Sequence, residues 1–315
     1  IKFKDQNFIA SLTGNNLRLG TILKQANPIL NNLLTGNFMI AGNRENFNIK
    51  TLFATGEAFL AIGGGRIKAA NIEVAQGLYQ AKIQADNVPL TKLLETQKLP
   101  PEMRGIITGQ FQVAGSVESF QPETIQAEGN GSLKLPSGAL TASYIQLNGG
   151  RYQALLATSG LKLNPFNPQL QGQLGGKLQV AGILASPQLA DVAAVGQVRF
   201  SRGFPGVNSP IQADIGWNGE KLTIDSSNNA DFQAKGYLLA NTKKVSIPEI
   251  TELNLNIQAK NYSLQQLPVK LPDTANIAGS LDFNGQVTGN PPHQILQVRW
   301  GYGISKFRNL LLSRY

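Results

Sequence analysis

Cysteine is absent from the 315 residues, which excludes disulfides, thiolate nucleophiles and cysteine-held zinc. Histidine is almost absent: His293 is the single one, and it follows Pro291 and Pro292 in an expected turn. A Ser-His-Asp triad would have to use that imidazole, and a histidine metal cluster needs more than one. His293 is therefore expected to be a solvated loop residue. Long apolar runs are missing too, none approaching the roughly 18 residues of a membrane-spanning helix. No signal peptide precedes the first strand. The chain starts at Ile1 in mid-pattern, without Met, and is expected to be a piece of a longer protein whose anchor lies outside it.

Acids are outnumbered, 19 against 28 Lys and Arg, for a formal charge of +9. That excess permits attraction to anionic lipid surfaces or nucleic acid. The cations are scattered between apolar positions, as at Lys82, Lys134, Lys162 and Lys177, and form no block. They are expected to solvate an outer face.

What the chain has is Gly (33 residues), Pro (16) and many Asn and Gln, punctuating short apolar runs. This is the texture of many strands joined by tight turns. One signature recurs: an apolar residue, Ala or Thr, then Gly. It ends at Gly42, Gly115, Gly182 and Gly289, and eight residues before each Gly stand Leu34, Ile107, Leu174 and Leu281. The first offset, 73 residues, also pairs Ala54 with Ala127, Gly56 with Gly129, Leu60 with Leu133, Ile72 with Ile145 and Tyr79 with Tyr152. Duplication explains this better than chance. Ile257-Gln258-Ala259-Lys260-Asn261 repeats Ile83-Gln84-Ala85-Asp86-Asn87, and Phe8 to Leu12 resembles Tyr79 to Ile83. The expected organisation is a partial unit at residues 1–42 and full units at 43–115 and 116–182. A unit with an inserted strand pair around Phe204 to Ala240 fills 183–289, and a fragment end 290–315.

Within a unit apolar residues alternate, which puts each set on one face of a strand and Gln, Lys, Ser and Thr on the other. Between Ala69 and Ile72, and again between Ala142 and Ile145, the alternation slips by one. A β-bulge would return the later side chains to the same face. Short Gly-rich connections such as Pro136-Ser137-Gly138 and Asn148-Gly149-Gly150 suit antiparallel hairpins. Helical signal is confined to Leu90–Leu94 and Leu264–Leu267. The segment 301–315, with Lys306, Arg308 and Arg314 among leucines, breaks the repeat.

No catalytic constellation is visible, so the chain is not expected to be an enzyme. Glu57, Glu73, Glu128, Asp214, Asp225 and Asp282 are dispersed, and no pair recurs between units. Gly63-Gly64-Gly65 lacks the helix and Gly-Lys-Ser/Thr continuation of a phosphate loop and is expected to be a turn. Tyr79, Tyr152, Phe111 and Trp217 share parity with Leu and Ile, which favours packing over stacking on nucleic acid.

The strings Gly65 to Tyr79 (GRIKAANIEVAQGLY) and Gly138 to Tyr152 (GALTASYIQLNGGRY), with Gly-x-Phe-x-Val-Ala-Gly ending at Gly115, resemble the translocation and assembly module (TamB) family. Its cyanobacterial and plastid members, AsmA-like repeating β-groove proteins, are the nearest in pattern. The resemblance implies an elongated antiparallel sheet folded into a groove with an apolar interior, anchored in the inner membrane. Such a groove would cross the periplasm, or a plastid envelope, toward a TamA-type outer-membrane barrel. It implies phospholipid transport to the outer membrane, outer-membrane protein assembly or secretion, and no cofactor, metal or nucleic acid. The implied acyl-chain lining is Phe38, Ile40, Leu60, Ile62, Phe111, Val113, Leu133, Leu135, Ile145, Leu147, Leu156 and Leu178. The alternative is a secreted β-helical adhesin or structural repeat protein that carries no lipid.

Overall fold

The structure, a computed structural model, describes residues 1–18, 32–93, 99, 101–119, 121–165, 172–186, 188–201, 210–227, 232–242, 249–263, 275–290, 297–300 and 307–314. The protein is all-β and antiparallel, and it forms two compact units. The first holds residues 1–156 with 183–185, the second 157–182 with 186–315.

The first unit is a meander. It runs β1 (Lys2–Lys4), β2 (Asn7–Arg18), β3 (Leu33–Asn43), β4 (Phe53–Ile62), β5 (Gly65–Ala75) and β6 (Leu78–Pro89). A single helical turn, α1 (Leu90–Leu93), leads on to β7 (Ile106–Ser116), β8 (Gln126–Leu135) and β9 (Gly138–Asn148). Each strand pairs with the next in sequence from β1 to β9. The boundary between units falls inside β10 (Arg151–Lys162).

The second unit continues with β11 (Gln173–Ile183), β12 (Ala193–Phe200), β13 (Ile211–Trp217), β14 (Lys221–Ser227), β15 (Phe232–Asn241), β16 (Glu249–Ser263) and β17 (Ala275–Gly289). These also pair in sequence order. The stretch from β11 to β16 has six strands where β3 to β6 has four; the inserted strand pair is expected around Phe204 to Ala240. Both β18 (Gln297–Trp300) and β19 (Phe307–Arg314) pair with β17, so residues 307–314 form a strand. Leu264–Leu267 and His293 lie outside the described residues.

Hairpins follow from local chemistry. Gly63 and Gly64, both at positive φ (56° and 87°), join Ile62 to its partner Gly65, the geometry of a two-residue primed turn. The expected turn is thus present, and no helix follows it. The 73-residue register extends to loop hydrogen bonds. Thr51 donates its hydroxyl to the Asn46 and Asn48 carbonyls at 2.8 and 2.9 Å, and Thr124 to those of Ser119 and Gln121, both at 2.9 Å.

The expected phase slips are bulges. In β5, Ala70 and Asn71 stand opposite Glu57 alone, and in β9, Ser143 and Tyr144 stand opposite Asn130. Two residues against one return Ile72 and Ile145 to the face of Ala69 and Ala142. A second bulge type recurs in β2, β6 and β16. There Asn16, Asn87 and Asn261 take left-handed φ of 54°, 52° and 52°. Asn tolerates that region because its short amide meets little steric opposition. Each bulged N–H would be lost to the ladder, but the single opposite residue captures it. Asn16 and Asn87 donate to Thr35 and Thr108 Oγ1, both at 3.4 Å, and Asn261 to Asp282 Oδ1 at 2.7 Å.

The fully buried core is small. Ile62 (1 % exposed), Val88 (0 %) and Ala85 cluster with Ile67 and Leu93 where α1 turns over the strand ends.

Candidate functional site

Directly opposed residues in an antiparallel pair project to the same face, so the registers assign every strand residue a side. In the first unit Ile40, Phe38 and Leu34 of β3 oppose Ala54, Gly56 and Leu60 of β4. The same row carries on to Val74, Ile72 and Ile67 of β5, then Tyr79, Ile83 and Ala85 of β6. Across β7 and β8 it reaches Val113, Phe111 and Ile107, then Ala127, Gly129 and Leu133, and ends on Leu147, Ile145 and Leu140 of β9. Every residue of this face is apolar, glycine or Tyr79. The opposite face carries Glu57, Lys68, Gln84, Gln110, Glu128 and their like.

Ten of the twelve lining residues named from sequence are thereby brought together: Phe38, Ile40, Leu60, Ile62, Phe111, Val113, Leu133, Leu135, Ile145 and Leu147. Leu156 shares a face of β10 with Tyr152 and Ala154, alternating with exposed Arg151, Gln153 and Leu155. Leu178 belongs to the second unit, on a separately established apolar face with Val180, Val198, Ile215, Trp217, Leu222, Leu238 and Leu255. The list was incomplete: Ile67, Ile72, Val74, Ile83, Val88 and Ile107 line the first face equally. The signal that locates them is the alternation of β5 and β6 once the bulges are counted.

Apart from Ile62, all twelve are half-buried. Side chains sealed under a second layer sit below about a tenth exposure, as Val88 does beneath α1. Among the described residues, the substantial contacts between elements are those of paired strands, with α1 against β6. The apolar faces are therefore partly open.

Glycines fit the aromatics onto this surface. A Cβ at Gly56 would meet Phe38 Cδ1 at 2.6 Å, and one at Gly129 would meet Phe111 Cδ1 at 2.6 Å. Each ring occupies the space that a side chain on the glycine across the strand pair would need. A Cβ at Gly115 would strike the Tyr79 ring and one at Gly42 the Phe8 ring. Burial raises the Tyr79 and Tyr152 phenols above their ordinary value, since the charged form is desolvated there.

Among the described residues, groups of three or more metal-ligating side chains are absent. The dispersed carboxylates are dispersed with one exception: Asp214 and Asp225 face each other directly across β13 and β14. Gln197 donates to Asp214 at 3.1 Å, and Lys235 bridges Asp225 at 2.9 Å, so each carboxylate has a partner of its own. Among the described residues, no helix is long and apolar enough to cross a membrane.

No protein-family model, curated protein or solved structure matches the chain. The face geometry is thus the main guide to function.

Proposed function

We propose that this chain is part of a TamB-like envelope protein and that its apolar faces carry lipid acyl chains toward the outer membrane. The observation that supports this most is the partly open apolar face running from β3 to β9, on which the Tyr79 hydroxyl is the one polar side-chain group among the described residues. Contiguous exposed apolar surface beyond a few hundred Å² marks a binding site, because leaving it in water costs about 25 cal/mol per Å². Acyl chains satisfy such a surface without directional contacts, so lipid could move along it with little specificity. Headgroups would project from the open side. Transport to the outer membrane, a role in outer-membrane protein assembly or secretion, a TamA-type barrel partner and a periplasmic setting all belong to this proposal.

The antiparallel pairing also counts against the adhesin reading, since the coils of a β-helix pair in parallel.

Photoreactive phospholipid offered to the chain should crosslink at Val113 and Leu135. Replacing both by Asp should abolish the phospholipid that co-purifies in native mass spectrometry, while strand content by circular dichroism stays unchanged. Labelling concentrated at Lys82 or Gln112, on the other face, would overturn the proposal.

A further inference from the structure

The polar face of the first unit is not uniformly solvated. Across β5 to β9, Ala70, Lys82, Gln112, Glu128 and Gln146 stand in one cross-strand row. Lys68, Gln84, Gln110 and Asn130 form the next. Two hollows of about 430 and 610 Å³ lie over these rows and share Lys82, Gln112 and Glu128, so they join into one trough across the strands.

Three observations define its chemistry. First, some of the trough's amides are held by neighbours: Gln80 donates to Glu73 at 2.8 Å, Gln84 donates to Asp86 at 3.2 Å, and Gln146 accepts from Gln153 at 3.4 Å. Gln110, Gln112 and Asn130 make no such bond among the described residues, and all three are exposed. Second, the shared wall carries one cation, Lys82, and one anion, Glu128, which cancel. Carboxamides supply both donors and acceptors. Third, Tyr144 lines the second hollow with a half-buried side chain. The second unit has a hollow of about 410 Å³ among Ala181, Ala193, Val195 and Trp217, with far fewer polar groups.

We infer that this trough binds an extended, uncharged polysaccharide. Amides match hydroxyls in both hydrogen-bonding senses, and the balanced charge favours neither anion nor cation. Neighbouring strands lie about 4.8 Å apart, a spacing close to the length of one pyranose ring, so successive sugars would meet successive strands. Tyr144 offers a face for a ring to stack on. The inference is independent of lipid on the opposite face.

The test is isothermal titration of the full chain with cellohexaose and chitohexaose, together with co-sedimentation on cellulose and chitin. Saturable binding to one of them is expected. The double variant Gln110→Ala with Gln112→Ala should weaken it by about tenfold, the loss of two ordinary hydrogen bonds. Gln112→Lys, which keeps a long exposed side chain but upsets the charge balance, should weaken it too. Gln258→Ala in the second unit should leave it unchanged. Failure of all four probes to bind, undiminished affinity in the trough variants, or stronger binding of a polyanion such as heparin or of an extended peptide would overturn the inference.

Discussion

At the scale of single residues, the most informative positions are the left-handed asparagines. Asn87 combines a φ of 52° with an N–H that donates to Thr108 across the bulge. A side chain without Asn's tolerance of that region costs roughly 1–2 kcal/mol there. Asn87→Val should therefore lower the unfolding free energy from urea titration by about that amount, whereas Asn87→Gly should be nearly neutral. Thr108→Val removes only the acceptor and should cost about 1 kcal/mol. Equal losses for the Val and Gly replacements would show that φ is not the cause. A second residue-scale test uses Tyr237, which donates its hydroxyl to Glu252 at 2.7 Å. That hydrogen bond is the main reason its phenol sits above the ordinary value of 10.0. An acid with a raised folded value gives stability that is complete below the unfolded value and is lost as pH rises through the folded one. Thermal stability should hold up to about pH 10 on this account and then fall. Tyr237→Phe should show a shallower fall in the same window.

At the scale of strands, the bulges keep one face apolar. Deleting Ala70 and Asn71 together would set Ile72 opposite Glu57 and turn Ile72 and Val74 onto the polar face, since a one-residue slip inverts every later side chain. The deletion should raise binding of an apolar dye such as ANS and broaden the unfolding transition. Unchanged dye binding would mean that β5 re-registers against β6. This bulge was legible in the sequence, because Ala69 and Ile72 break the alternation where Ala142 and Ile145 break it again. The asparagine bulges were less so. The repeated Ala85-Asp86-Asn87 and Ala259-Lys260-Asn261 are visible as strings, but Thr108 and Asp282 lie 21 positions further along each chain segment and meet the bulge only after strands pair. Face membership of the lining was legible from period two once the phase slips were counted. How far that face is covered was not, because coverage depends on what packs above a strand, and period two is the same in a sandwich, a barrel or an open sheet.

At the scale of the molecule, the consequence of a meander is locality. Among the described residues each strand contacts chiefly its sequence neighbours, and the chain divides into two compact units. Such a protein resembles a one-dimensional array, whose stability is a sum of element terms and nearest-neighbour terms, so a perturbation decays along the chain. Leu133 tests this. It is half-buried, opposes Ile107 and Leu140, and sits far in sequence from β15 to β17. Its replacement by Ala should cost on the order of 1–2 kcal/mol, less than at a sealed core site. Hydrogen exchange should accelerate in β7, β8 and β9, while amides of β15, β16 and β17 keep their rates. A uniform acceleration would instead mean that the two units unfold as one cooperative body, with each apolar face stabilised by a long-range partner. It would weaken the case for lipid as the occupant of those faces, because a protein partner would already cover them.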